Sequence, residues 1–265
     1  MENTNNVVEA DLPPKFEIRL QHYRQKYNWD CGVTCVLMVL PEVKREHLTN
    51  NFSEVCTEED FNKSTWTIDL CYLLHRYGVK HLYCTITLGI NPGYKGQSFY
   101  DKILQKDEER VTRRFKEAAE LGIEVEKRSL TCYDFVRHLS ESGPVILLTN
   151  ASLLQCDVCK LNKLTAELRG CLPWSTTYTG KCVTYVLSRK FYRTRGRNSK
   201  LILEHVFTGH YIVLCGYSLS NQKFLYHNPA FKNRVCVISF ATLDEARCSY
   251  GTDEDAILIY SSSWT

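Results

Sequence analysis

The run at 32–40, Gly-Val-Thr-Cys-Val-Leu-Met-Val-Leu, constrains the chain more than any other segment. A helix that is apolar nearly all round cannot lie on a surface, so this segment requires a core that covers it on every side. Periodicity over so short a run leaves a buried strand open as the alternative. The run follows directly on Asp30-Cys31, so a helix here would begin close to a thiol.

The chain can supply such a core. It has 265 residues, 44% of them apolar, enough for one large domain or two small ones. Thirty-three basic against thirty acidic residues leave a formal charge of +3, too small and too interspersed to mark a nucleic-acid surface. No stretch approaches eighteen uninterrupted apolar residues, and the first residues lack the basic-then-apolar layout of a signal peptide. The expected compartment is therefore cytoplasmic or nuclear, with neither membrane nor nucleic acid as a partner. Thirteen cysteines are many for that setting. The number is odd, and Cys71, Cys215 and Cys236 sit in apolar stretches, which suits reduced thiols packed as small hydrophobes better than a disulfide framework.

Residues 1–12 are polar and aperiodic and read as a disordered lead-in to Pro13-Pro14. Alternation predicts a short strand at 16–20. Apolar spacing at Trp66, Leu70, Leu73 and Leu74 predicts a helix over 65–77, ended by Gly78. A strand is expected at 80–86, a solvent-facing helix at 106–121 closed by Gly122, and a strand at 123–127. A helix at 131–139 and a buried strand at 144–148 follow. The pattern then breaks over about 155–206, which reads as an insertion rich in cysteine and basic residues. Strands are predicted at 211–214, 223–226 and 234–238, a helix at 242–250 and a final strand at 256–260. This is an α+β order, with an N-terminal helical part packed on a C-terminal antiparallel sheet in a single domain over 13–265.

Four residues form a catalytic pattern. Cys31 stands at the head of the predicted helix, where exposed N–H groups and the macrodipole favour a thiolate, and Gly32 lets backbone approach a substrate carbonyl. His210 heads the apolar strand Tyr211-Ile212-Val213-Leu214, and eighteen residues later Asn228 ends the strand paired to it. An asparagine there can accept from the ring N–H and fix the tautomer. Gln25, six residues before Cys31, can donate to an oxyanion beside the sulfur. Taken singly, each has a plainer reading: a core cysteine, a structural histidine, a surface glutamine. Their order is what suggests a papain-like cysteine-hydrolase fold, with Cys31 as nucleophile, His210 as base, Asn228 as orienting group and Gln25 at the oxyanion.

Tyr27-Asn28-Trp29-Asp30-Cys31-Gly32, Trp66-Thr67-Ile68-Asp69-Leu70, the segment 93–100 and the segment 249–255 together resemble the guanylyl cyclase domain-containing protein 1 family, in matching order from about Pro13 to Tyr260. More remotely, Gln25, Asp30-Cys31-Gly32 and His210 resemble the papain-like double-glycine leader peptidases, which usually carry Asp-Pro where this chain has Asn228-Pro229. The family name implies conversion of GTP to cyclic GMP. A two-metal cyclase would need carboxylates converging on one site, and Asp253-Glu254-Asp255 is the nearest cluster. Neighbouring side chains diverge, however, so a solvated acidic turn is the reading of that run taken here.

Cys156-Asp157-Val158-Cys159 followed by Cys171 and Cys182 offers a structural zinc set, with His205 as a substitute ligand and reduced loop cysteines as the alternative. The basic run 189–197 reads as a solvated loop. The expected activity is thiol hydrolysis of a peptide or isopeptide bond in a peptide or protein substrate, with no cofactor required. A guanylyl cyclase and a catalytically inactive binding domain remain the alternatives.

Overall fold

The computed structural model describes residues 12–61, 63–94, 98–159, 209–231 and 233–260. Strand β1 (Lys15–Glu17) precedes four helices: α1 (Cys31–Val39), α2 (Glu42–Asn50), α3 (Phe52–Glu58) and α4 (Thr67–Arg76). Next come β2 (Lys80–Thr85), α5 (Ser98–Glu117), β3 (Glu124–Lys127), α6 (Cys132–Glu141) and β4 (Val145–Asn150). The described chain ends with β5 (Gly209–Ser218), β6 (Lys223–His227), β7 (Val235–Ser239), α7 (Phe240–Arg247) and β8 (Ala256–Tyr260). The expected insertion lies mostly at 160–208, outside the described residues.

The fold is α+β, but the division into a helical first half and an antiparallel second half is corrected. One eight-stranded sheet in the order β3-β2-β8-β4-β5-β6-β7, with β1 paired to β5 off this path, draws strands from both halves, and β2 pairs with β3 in parallel. The parallel pair is built by a crossover: α5 carries the chain from β2 to β3, a geometry that a hairpin cannot make. Helix α5 also starts earlier than its charge pattern predicts, at Ser98. Helices α2 and α3 were not anticipated. Each buries few residues, Arg45 and Leu48 in α2 and Val55 in α3, too few to leave a period in the sequence.

Every residue of α1 is buried. Its C-terminal carbonyls, which a helix leaves without partners, are met by Arg45: Nε donates to the Leu37 carbonyl at 3.0 Å and Nη2 to the Leu40 carbonyl at 2.5 Å. The sheet has a core on each face. Tyr83, Ile146, Tyr211, Val213, Ile257 and Ile259 join the core around α1 and α4, while Leu82, Leu147, Ile212, Leu214 and Leu258 join the one around α6 and Leu243. This alternation is the period of two by which a strand buried on both faces sends successive side chains to opposite layers.

Helix α4 is anchored by a buried ion cluster. Asp69 accepts from Arg110 Nη2 at 3.0 Å and Arg114 Nη1 at 2.8 Å, and also from the Trp66 backbone N–H at 2.9 Å. Helix α6 begins with a capping box, Thr131 and Asp134 each accepting from the other's backbone N–H.

Strand β5 is the longest strand described and serves two partners on one edge, β4 over its first half and β1 over its last three residues. On its other edge, against β6, the register shifts between Leu214 and Gly216. At Gly216 the β1 backbone comes so close that an added Cβ would lie 2.5 Å from the Phe16 carbonyl oxygen. Gly216→Ala is expected to push β1 off the sheet and cost about 1–3 kcal/mol. Urea unfolding, read beside hydrogen exchange at Ile18, whose N–H donates to the Cys215 carbonyl, checks this.

Candidate thiol site at the head of helix α1

Asp30 fixes where α1 begins. It sits at the N-cap but makes no side-chain cap; its carboxylate instead turns back and accepts from the Lys26 and Tyr27 backbone N–H groups, each at 3.0 Å. The loop that carries Gln25 is thereby folded against the helix start, and Cys31 is the first helical residue, 7% exposed. Burial raises the Asp30 carboxyl above its usual range, against the lowering effect of those bonds.

Gly32 and Tyr211 follow Cys31 and His210, and these two following residues touch. A Cβ on Gly32 would stand 3.0 Å from Tyr211 Cδ2 and 2.8 Å from Leu70 Cδ1, so only glycine allows this approach of helix to strand. Cys31 and His210 are each one residue from that contact.

The histidine and asparagine are joined directly. His210 Nε2 lies 2.9 Å from Asn228 Oδ1, which also accepts from the Ala230 N–H at 2.9 Å. The second bond is an Asx turn, the local structure that an Asn-Pro dipeptide favours, and it identifies the atom facing the ring as oxygen. His210 Nε2 is therefore the donor, and in the neutral ring Nδ1 is the basic nitrogen. Burial lowers the His210 pKa, and the Asn228 bond opposes that shift.

Two further ties lock the segments together. His22 accepts from the Asn233 N–H at Nδ1 (3.2 Å), which leaves Nε2 to donate to the Asn228 carbonyl at 3.1 Å. The Gln25 N–H donates to the Pro229 carbonyl at 2.9 Å. His22 was missed in the sequence because a histidine in an irregular segment carries no spacing signal. The Gln25 side chain differs from expectation: its Nε2 donates to the Tyr27 carbonyl at 2.6 Å, and its buried Oε1 has no hydrogen-bond partner. One of its two N–H donors is thus occupied.

The acidic run is not a solvated turn, and this reading is corrected. Asp253 and Glu254 take positive φ, 47° and 53°, which sends the three side chains to different places. Asp253 Oδ1 accepts from Asn91 at 2.7 Å and Thr87 at 3.0 Å, and Glu254 meets Ser129 and Arg247. Asp255 is buried and accepts from Thr67 Oγ1 at 2.5 Å and the Tyr83 hydroxyl at 2.8 Å, with the Tyr211 hydroxyl 2.9 Å from Thr67 Oγ1. Burial pushes the Asp255 carboxyl up to about 7, against the bonds from Thr67, Thr85 and Tyr83. The three carboxylates thus have different side-chain partners.

The zinc set is also amended. Cys171, Cys182 and His205 lie outside the described residues. Among the described residues Cys156 and Cys159 are joined by Cys236 of β7, the three sulfurs lying within 4.8 Å of one another. No described cysteine is in a disulfide. Among the described residues no helix is long and apolar enough to cross a membrane. A cavity of about 560 Å³ between the 88–92 loop, α5 and β3 shares no lining residue with the thiol site.

The family described as guanylylate cyclase matches residues 20–194 and 184–259. A protein of Arabidopsis thaliana named Guanylyl cyclase 1 is 33% identical over 252 residues, which cover 95% of this chain and 79% of that protein.

The Asp255 shift has a measurable consequence. Between about pH 4 and 7 the folded chain holds a proton on Asp255 that the unfolded chain has released, so this group's contribution to stability is greatest at the low end and is lost as pH rises through 7. The expected loss is roughly 2–4 kcal/mol. Asp255→Asn removes it, so the stability of the native sequence relative to the variant should decline from pH 4 to 7 and level off above about pH 8, measured by denaturant unfolding across that range.

Proposed function

For this chain, which belongs to the guanylylate cyclase family, we propose a papain-like thiol chemistry: hydrolysis of a peptide or isopeptide bond in a peptide or protein substrate. The observation that carries the proposal is the His210–Asn228 pair, whose geometry fixes the ring in the tautomer a general base needs, on the strand against which the Cys31 helix packs.

His210 Nδ1 withdraws the Cys31 proton, and the sulfur attacks the carbonyl carbon. The oxyanion is met by backbone N–H groups at the head of α1, which the Asp30 side chain leaves uncapped, and by the remaining N–H of Gln25. The imidazolium then returns the proton to the departing amine, and water releases the acyl group from sulfur as His210 again acts as base. Asn228, held by the Asx turn and by His22, keeps the ring aligned throughout. These steps use only backbone and side-chain groups of the chain, with water.

A second reading follows from the name of the Arabidopsis relative: production of cyclic GMP from GTP. It would need metal-holding carboxylates, and Asp253, Glu254 and Asp255 are each engaged with a different set of neighbours, which favours the thiol reading.

A peptide-based acyl probe that traps thiols, located by peptide mapping, separates the two. Cys31→Ala is expected to abolish modification at this position in the substrate-protected fraction, His210→Ala to slow it about a hundredfold or more, and Gln25→Ala to slow turnover about 10–1,000-fold. Undiminished turnover in both Cys31→Ala and His210→Ala rejects the thiol mechanism. Metal-dependent cyclic GMP formation that survives Cys31→Ala and is lost in an Asp253→Asn, Asp255→Asn double variant would establish the second reading.

A further inference from the structure

Cys156, Cys159 and Cys236 lie apart from the proposed chemistry. The first two flank the turn that follows β4, the third lies within β7, and all three are buried. Seventy-seven residues separate Cys159 from Cys236, yet their sulfurs are 4.0 Å apart. The turn is pinned to the strand by the Asp157 N–H, which donates to the Val237 carbonyl at 2.8 Å, and by an ion pair of Asp157 with Lys223 at 3.1 Å. Backbone and side-chain ties therefore hold the Cys-x-x-Cys turn with its sulfurs toward Cys236.

The spacing distinguishes among uses of three thiols. Zinc binds thiolate sulfur at about 2.3 Å in a tetrahedron, which sets sulfurs roughly 3.8 Å apart. The observed separations, 4.0 Å for one pair and at most 4.8 Å for any, need to contract by about 1 Å or less. A disulfide would need a sulfur separation of about 2.05 Å and would use only two of the three. All three cysteines belong to the core on the α6 face of the sheet, where their sulfurs converge from two segments distant in sequence. Arg234, two residues before Cys236, places positive charge near Cys159 and Cys236, where it would offset the net negative charge of a zinc ion bound by three thiolates.

We propose that Cys156, Cys159 and Cys236 bind one zinc ion as a structural site, each thiol releasing its proton on binding, with the fourth tetrahedral position left to a ligand other than these three. The ion would staple the chain leaving β4 to β7. Strand β7 pairs with β6, which ends one residue before Asn228, so the staple stiffens the sheet beside the His210–Asn228 pair.

The full chain, purified without added metal and then equilibrated with zinc and desalted, is expected to carry about one zinc per molecule by elemental analysis. Cys156→Ser and Cys236→Ser should each lose it, while Cys248→Ser, an exposed thiol outside the cluster, should keep it. Because a ligand variant can fail to fold, the native sequence is also loaded with cobalt(II), where a sulfur-to-cobalt charge-transfer band of three-thiolate intensity is expected. Zinc-free native protein after equilibration, zinc undiminished in folded Cys236→Ser, a cobalt spectrum without sulfur ligation, or a mass 2 Da low from a bond within the cluster would each overturn the proposal.

Discussion

The fold depends on a carboxylate buried without a cation beside it. Asp255 is held by hydroxyls alone, from Thr67 at the start of α4 and Tyr83 in β2, and through Thr67 it reaches Tyr211 in β5. Three elements of the core around α1 are tied to β8 in this way. Burying such a group is costly, and the shift of its carboxyl to about 7 reflects that cost. The return is positional: Tyr211 is fixed at both its hydroxyl and its ring, and the ring is what Gly32 packs against. The distance between the Cys31 and His210 elements is therefore set from below by a polar network, within a layer that is otherwise apolar.

Above that network the site is organised by turns. An Asx turn at Asn228 orients one side chain by means of its neighbour's backbone, and the same segment accepts hydrogen bonds from His22 and Gln25. Asp30 does the corresponding work on the thiol side, spending its carboxylate on the loop and not on the helix. Each loop is thus held by backbone groups, which tolerate little displacement, and the side chains proposed for chemistry keep an N–H or a ring nitrogen in reserve.

Much of this was legible where local chemistry decides the outcome. The apolar run at 32–40 became the buried α1, Gly78 ended α4 at φ 59°, and 256–260 became β8 with the expected bounds. The Asn-Pro signal located both a turn and the His210 partner. What escaped was set by contacts distant in sequence. Helices α2 and α3 bury so little that only Pro41 before the first of them marked a start. The parallel β2–β3 pairing depends on where the chain returns after α5, which no window of residues records. Asp255 looked like one more charge in a run, and only the positive φ of its two predecessors turns it inward. Cys236 looked like a small hydrophobe because its two partners lie far upstream.

The family name and the site chemistry point to different reactions, and the arrangement of donors and acceptors weighs between them. A group that must meet a metal ion or a developing charge cannot also be saturated by its own protein. Asp253 and Asp255 each receive two donors from neighbouring side chains, so part of their accepting capacity is already committed inside the fold. The His210 ring, by contrast, is fixed through Nε2 in a way that leaves its basicity on the other nitrogen, and the head of α1 is left uncapped by the one side chain placed to cap it. Groups held in position with capacity to spare are what preorganisation requires. In this chain such groups stand at the head of α1 and on β5, whereas the carboxylates of the acidic run are engaged with neighbouring side chains.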